Sequence, residues 1–208
     1  MTTFNDYLQH GWVLTPLSPG TKKPVLRNWA RPEKAIRGLE NARLLNRNAA
    51  GLLLAHCTPP LMTLDIDDFF EATAYLETKG IDLAQLIQRD ETVQINSGRP
   101  NRAKLLYYMD RTRLTRKIVP DGKTILEFRC AVRNGGSVQD VLPPSIHPDT
   151  LQPYTWKGDW HCVPEAPSSL LAIWDEISSP PKETQGVDAC SDTKTCTADE
   201  LRQTLSQL

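Results

Sequence analysis

The sequence predicts an α/β (α+β) fold in which mixed sheets are flanked by helices. Hydrophobic residues make up 39% and charged residues 24% of its 208 residues, a composition typical of globular proteins. Short apolar runs that indicate strands alternate with segments that indicate helices, and glycine and proline turns separate many of them. The length suits one domain with a substantial core, with or without a short appendage, better than two domains.

Helices are predicted where capping and breaking residues bracket an amphipathic run. Gly11 ends the first helix, and Gly80 divides the third from the fourth. Pro32 suits the first turn of the second helix, because its missing N–H has no intrahelical partner there. The predicted helices span 4–10, 31–46 with Gly38 as a weak point, 69–79, 82–88 and 167–176.

Strands are predicted where short apolar runs end at turn residues. Thr58 to Pro60 supply one such turn, and Pro143 with Pro144 supply another. The predicted strands span 12–17, 51–55, 61–66, 92–96, 103–109, 125–129 and 137–142.

The domain is predicted to occupy residues 1–176. Residues 177–196 have the composition of a linker. The sequence from Thr197 to Glu200 is a capping-box signature that predicts a helix over 197–208, either docked on the domain or beginning a further module.

Neither a targeting segment nor a membrane span is predicted. The N-terminus lacks a basic start followed by an apolar run, so we expect a cytoplasmic location and no membrane partner. The five cysteines are scattered and form no CxxC pair, which favours reduced thiols in or near the core. His161 beside Cys162 is only a weak indication of zinc, since no second pair of ligands follows a zinc spacing.

The net charge of −1 argues against coating of nucleic acid by bulk electrostatics, but the charges are unevenly distributed. Residues 1–47 carry eight Lys/Arg against three acids, and residues 99–133 carry ten against three. Between them, residues 65–91 hold eight acids against two bases. An acidic centre between basic segments suits a site that holds cations among phosphates, although ordinary solvated faces give the same pattern.

A run of acids ends the apolar strand predicted at 61–66. Side chains alternate along a strand, so Asp65 and Asp67 lie on one face. Two adjacent carboxylates repel each other, which makes a hard divalent cation their natural partner. The alternative is that Asp67 or Asp68 merely caps the helix that starts at Phe69.

A third acid, Glu127, stands among apolar neighbours in the strand predicted at 125–129, and Arg129 shares its face. Glu127 would complete a metal site, and the forked guanidinium of Arg129 suits a triphosphate. A cross-strand ion pair at a sheet edge is the alternative.

Several motifs follow in a fixed order. The acids of Asp65 to Asp67 precede the Glu127–Arg129 strand, then comes the PPSIHP segment at 143–148 and the YTW segment at 154–156. In this order the sequence resembles the bifunctional primase-polymerase (prim-pol) domain of the archaeo-eukaryotic primase superfamily, over most of residues 10–160. The PGTKKP segment at 19–24 with Trp29, and the glycine-led strand at 51–55, also resemble that family.

The resemblance implies a catalytic domain with an RRM-like half, and it implies roles for particular residues. Asp65, Asp67 and Glu127 would be the catalytic, metal-binding acids for Mg²⁺ or Mn²⁺. The residues implied near the nucleotide are Lys104, Arg129, Ser145 and His147, and those implied near template or phosphate are Lys22, Lys23, Arg99 and Arg102. Arg99 and Arg102 equally suit a solvated loop. Lys104 stands where the family usually has a histidine, and lysine lacks the shape and titration of imidazole.

The implied activity is a DNA primase/polymerase, a nucleotidyltransferase in which a 3′-hydroxyl attacks a nucleotide α-phosphate with two cations assisting. Its expected partners are single-stranded DNA template, primer, nucleoside triphosphates and a replicative helicase, in the replication of a plasmid, phage or other mobile element. Two alternatives stay open: a replication-initiator or DNA-binding module without catalysis, and another metal-dependent phosphotransferase or nuclease.

Overall fold

The computed structural model describes residues 2–45 and 49–179. Nearly all of the predicted linker and the whole predicted helix at 197–208 lie outside the described residues, and so do Cys190 and Cys196. The described residues form four α-helices, eleven strands and five 3-10 helices.

The elements follow one another in a mixed order. The α-helices are α1 (Phe4–Gln9), α2 (Phe69–Glu77), α3 (Leu83–Gln88) and α4 (Ser168–Ser178). The strands are β1 (Leu14–Pro16), β2 (Ala50–Leu53), β3 (Leu61–Ile66), β4 (Val93–Asn96), β5 (Ala103–Tyr108), β6 (Arg116–Ile118), β7 (Leu126–Arg129), β8 (Ala131–Val132), β9 (Gly136–Ser137), β10 (Gln139–Val141) and β11 (Thr155–Lys157). The 3-10 helices span Pro32–Lys34, Leu39–Leu44, Leu54–His56, Pro120–Gly122 and Trp160–Cys162.

Two larger sheets and a short ribbon make up the β structure. The first sheet has three strands in the order β1-β2-β10, and the second has six in the order β11-β4-β5-β3-β7-β6. Strands β8 and β9 form the ribbon. All pairings between these named strands are antiparallel. The predicted mixture of α and β structure is confirmed.

The six-stranded sheet has one apolar face and one largely polar face near its centre. In β3, Met62, Leu64 and Ile66 belong to a buried cluster that also includes residues of α2, α3 and α4. Thr63 and Asp65 point to the opposite face because side chains alternate along the strand. A second buried cluster joins α1 to the three-stranded sheet. The central polar face therefore lies where the two sheets meet.

The predicted helix at 31–46 is wrong within its described residues. The structure has two 3-10 helices there, Pro32–Lys34 and Leu39–Leu44, separated at Gly38 with φ of 67°. Ile36 is extended instead and exchanges two backbone hydrogen bonds with Leu14, which stabilises the edge of the three-stranded sheet. Sheet pairing and a left-handed glycine thus override a helical pattern.

Strands β6, β8 and β11 were not predicted, since each is only two or three residues long. The prediction of strand 137–142 is correct only in part, because the chain changes partner there. Ser137 belongs to the β8–β9 ribbon, whereas Gln139 begins a strand that pairs with β2.

An aromatic cluster ties α1 to the 143–148 segment. Tyr7 stacks on Trp12 with ring centroids 5.4 Å apart, and its hydroxyl donates to the carbonyl of Pro143 at 2.9 Å. The same hydroxyl accepts a hydrogen bond from Trp156 Nε1 at 2.6 Å. These contacts fix the segment that carries Ser145 and His147.

Cys57 and Cys130 are free and buried, as predicted, whereas Cys162 is exposed. His161 Nδ1 lies 2.8 Å from Asp159 Oδ1. No helix among residues 2–45 and 49–179 is long and apolar enough to cross a membrane.

Candidate active site

A row of four charged residues crosses the centre of the six-stranded sheet. The register places Lys104 opposite Asp65, Asp65 opposite Glu127, and Glu127 opposite Lys117. Residues directly opposite in antiparallel strands have neighbouring side chains. The row therefore holds two acids side by side with a lysine at each end.

Salt bridges follow this row. Lys104 Nζ lies 2.9 Å from Asp65 Oδ2, and Lys117 Nζ lies 2.8 Å from Glu127 Oε1. Arg129 Nη1 donates to the other Glu127 oxygen at 2.8 Å. Burial raises the pKa of Glu127, but the hydrogen bonds and charges of Lys117 and Arg129 outweigh burial and hold this pKa below its ordinary value. Glu127 is therefore ionised at neutral pH.

Asp140 reaches this network from the other sheet. It lies on β10, is 2% exposed, and contacts both Lys104 and Arg129. Thr63 Oγ1 donates to its Oδ2 at 2.5 Å. Burial raises the pKa of Asp140, yet Arg129, Lys104 and Thr63 together lower it well below its ordinary value. Asp140 is thus a buried carboxylate that is fully ionised and joins the two sheets.

The two cations that contact Asp140 are Lys104 and Arg129, and the surrounding carboxylates stabilise the charge of both. Burial lowers the pKa of Lys104, but Asp140 and Asp65 outweigh burial and raise it. Arg129 uses all of its nitrogen atoms: Nε faces Asp140, Nη1 donates to Glu127, and Nη2 donates to the carbonyl of Gln139 at 3.0 Å. Both cations are fixed in place and permanently charged.

The sequence left open whether Asp67 or Asp68 caps α2, and the structure gives the two residues different roles. Asp68 caps α2, with its side chain accepting from the backbone N–H of Glu71. Asp67 is paired with Arg102, and both line the cleft. The capping alternative thus applies to Asp68, and the carboxylate of Asp67 belongs to the cleft with Asp65.

A cleft with about 470 Å³ of empty volume opens beside the two aspartates. Four cationic residues also line it, and two of them, Lys104 and Arg102, are paired with the aspartates. Its lining residues are Lys22, Asp65, Asp67, Ile95, Ser97, Arg99, Arg102, Ala103, Lys104, His147 and Tyr154. Gln139 Nε2 donates to the carbonyl of Lys22 at 3.0 Å and so holds that loop at the cleft.

His147 lines this cleft and carries a buried hydrogen-bond donor that is unused in the part of the chain that the structure describes. Its Nδ1 accepts from the backbone N–H groups of Asp149 at 3.1 Å and Thr150 at 3.3 Å, which leaves the proton on Nε2. Nε2 is buried and has no hydrogen-bond partner among the described residues. Burial, then the charges of Lys22 and Arg99, lower the pKa of His147. The ring is therefore a neutral donor near neutral pH.

Four of the predicted site residues lie outside the cleft lining. Ser145 is fully buried, and its Oγ accepts from the backbone N–H of Ala50 at 3.2 Å. Lys23 is exposed, and the side chains of Glu127 and Arg129 bind each other behind the cleft. Lys22, Arg99, Arg102, Lys104 and His147 do line it.

The donor set suits a divalent cation in part. Asp65 and Asp67 supply carboxylate oxygens to one cleft, and their side chains are 23% and 25% exposed. Across the part of the chain that the structure describes, no three His, Cys, Asp or Glu side chains are grouped to hold a metal ion. Both oxygens of Glu127 bind cations of the chain instead. All three predicted acids are thus paired with cations of the chain, Asp65 and Asp67 through one carboxylate oxygen each and Glu127 through both, so a metal ion would have to displace these partners.

Sequence reasoning did not assign a role to Asp140, although a signal was present. Val138, Asp140 and Leu142 share one face of a strand by alternation, so an acid between two apolar residues indicated a buried carboxylate. Tyr154 also lines the cleft, with its ring centroid 5.2 Å from that of His147.

The chain was also compared with known proteins. No curated protein matches it. The family model described as bifunctional DNA primase/polymerase, N-terminal (Prim-Pol), matches residues 5–169, most of the described chain. The chain therefore belongs to the bifunctional DNA primase/polymerase (Prim-Pol) family.

Proposed function

We propose that this domain is a template-dependent DNA primase/polymerase that joins nucleotides at the cleft beside Asp65 and Asp67. Family membership indicates a primase/polymerase type of activity. The observation that carries the proposal is the cleft itself, where Asp65 of β3 and Asp67 just after it share the lining with the basic groups Lys22, Arg99 and Arg102. Phosphoryl transfer requires carboxylates that hold a metal ion and, beside them, basic side chains that hold phosphate.

Asp65 and Asp67 would hold Mg²⁺ or Mn²⁺, with Glu127 as the third acid once its oxygens leave Lys117 and Arg129. A bound divalent cation supplies charge that stabilises the attacking and leaving oxygens. Arg102 must release Asp67 when a cation binds, and it is then available to the triphosphate or the template phosphates.

The other cleft residues position the nucleotide. Lys22 and Arg99 neutralise phosphate charge, and Nε2 of His147 donates to a phosphate or sugar oxygen without bringing a charge. The low exposure of His147 and Tyr154 excludes water from this wall of the cleft. Positioning and charge neutralisation, rather than proton transfer, would supply most of the rate.

The test is primer extension with a labelled template-primer, nucleotides and Mg²⁺ or Mn²⁺, with dNTPs and NTPs supplied separately. The wild-type chain should extend the primer, and Asp65→Asn with Asp67→Asn should reduce extension by at least about 10³-fold. Asp90→Asn with Asp121→Asn, two exposed residues outside the cleft, is the control with the same charge change. Retained extension in the double variant would refute the assignment.

A binding module without catalysis is the second candidate, because each carboxylate of the network already has a cationic partner from the chain. Such a module would bind template or nucleotide without metal-dependent extension in the same assay. Degradation of the primer would indicate a nuclease instead. The proposal also includes a role in the replication of a plasmid or phage and contact with a helicase. In vivo replication assays are needed to test both.

A further inference from the structure

The sheet centre contains a cation that belongs to the chain. Lys104 Nζ lies between two carboxylates, Asp65 at 2.9 Å and Asp140 on the other side. The two acids come from different sheets, and Lys104 bridges them. An ammonium between two carboxylates occupies the position that a metal ion takes when two acids share it.

Building on the proposed function, we infer that Lys104 is a built-in cation that takes the place of one of the two divalent ions, and that Asp140 holds it there. The site would then recruit a single divalent cation.

The charges of the network support this inference. Asp65, Asp67, Glu127 and Asp140 each contact a Lys or Arg side chain. Four cations contact these four acids: Lys104, Arg129, Lys117 and Arg102. A local balance of zero opposes the binding of two further divalent ions, because like charges a few ångströms apart repel strongly in a partly buried site.

The packing shows why Lys104 in particular is fixed. Its side chain is 19% exposed, whereas that of Lys117 at the far end of the row is 55% exposed. Asp140 is 2% exposed, so ions from the solvent cannot neutralise its charge. It depends on Lys104 and Arg129 for neutralisation. Arg102 differs from Lys104 because Asp67 is its single acidic partner within residues 2–45 and 49–179, which leaves it free to move when a cation binds.

The inference is tested by titrating Mn²⁺ into the full chain and measuring free Mn²⁺ by electron paramagnetic resonance, with and without saturating dATP. The wild-type chain should bind Mn²⁺ weakly alone and hold one Mn²⁺ per chain in the dATP complex. Lys104→Met should bind Mn²⁺ at least about tenfold more tightly without dATP and hold two with dATP. Lys123→Met, which removes a lysine paired with the helix cap Asp68, is the matched control and should behave as wild type.

Lys104→Met leaves Asp140 with less compensation, so unfolding of this variant is checked by circular dichroism. The variant Lys104→Met/Asp140→Asn removes one charge of each sign and serves as the second measurement. Its local balance stays at zero while Asp65 loses its lysine, so a gain of Mn²⁺ smaller than that of Lys104→Met is expected. Two Mn²⁺ in the wild-type dATP complex would overturn this inference, and so would Mn²⁺ binding in both variants that equals that of the wild type. Neither result would contradict the proposed primer extension. No Mn²⁺ binding by any form, with or without dATP, would overturn both proposals.

Discussion

Asp140 offers the sharpest test of the network, because Asp140→Asn removes the charge that links the two sheets without changing side-chain shape. In Asp140→Asn, Lys104 and Arg129 lose a buried carboxylate and face an amide instead. Breaking a buried ion pair by removing one partner costs about 3–5 kcal/mol. Since Lys104 keeps Asp65 and Arg129 keeps Glu127, we expect the lower end, about 3 kcal/mol of unfolding free energy.

Urea unfolding followed by tryptophan fluorescence measures this loss. For an m-value of about 2 kcal/mol/M, the midpoint should fall by about 1.5 M urea. The pKa of folded Asp140 lies below its ordinary value, so its contribution is present above that ordinary value and is lost only as the pH falls through the lower one. The difference between wild type and variant should therefore stay constant from about pH 6 to about pH 8.

The control is Asp121→Asn, an exposed turn residue with φ of 50° that asparagine tolerates, and it should change stability by less than about 0.5 kcal/mol. In the variant Lys104→Met/Asp140→Asn, the loss should be smaller than the sum of the two single losses by at least about 1 kcal/mol. A loss below about 0.5 kcal/mol in Asp140→Asn would refute the argument that this carboxylate compensates two buried cations.

Three further predictions concern the scaffold around the cleft. Tyr7→Phe leaves Trp156 Nε1 without its acceptor and should cost about 1–2 kcal/mol in urea unfolding, with Tyr7→Leu costing more because stacking is also lost. Gly158→Ala should cost at least about 2 kcal/mol, because φ is +82° and the added Cβ would lie 2.1 Å from the carbonyl oxygen of Thr92; an unchanged melting temperature would contradict this. Burial is the largest cause that lowers the pKa of His147. An NMR titration of this side chain should therefore give a pKa below the ordinary value of histidine. Because the unfolded state takes up that proton first, stability should fall below about pH 6.5 more steeply in wild type than in His147→Asn.

Local sequence patterns were sufficient for the central strand and the helices that follow it. Strand β3 has the predicted bounds, and α2 begins at the predicted Phe69, because an apolar run after a turn and a capping aspartate are encoded in adjacent residues. Alternation also put Asp65 and Asp67 on one face. The helix predicted over 31–46 failed because Ile36 pairs with a strand that is distant in sequence, and no local pattern shows such pairing.

The sequence by itself determined which residues could carry the chemistry: Asp65, Asp67, Glu127, and the basic residues around them. Only the tertiary structure decided how their charges are compensated. The register places Glu127 opposite Asp65, and the meeting of two sheets brings Asp140 to Lys104, 36 positions away in the chain. Alternation is a property of neighbouring residues and can be read locally, whereas the neutralisation of a buried charge depends on whichever distant side chain packs against it.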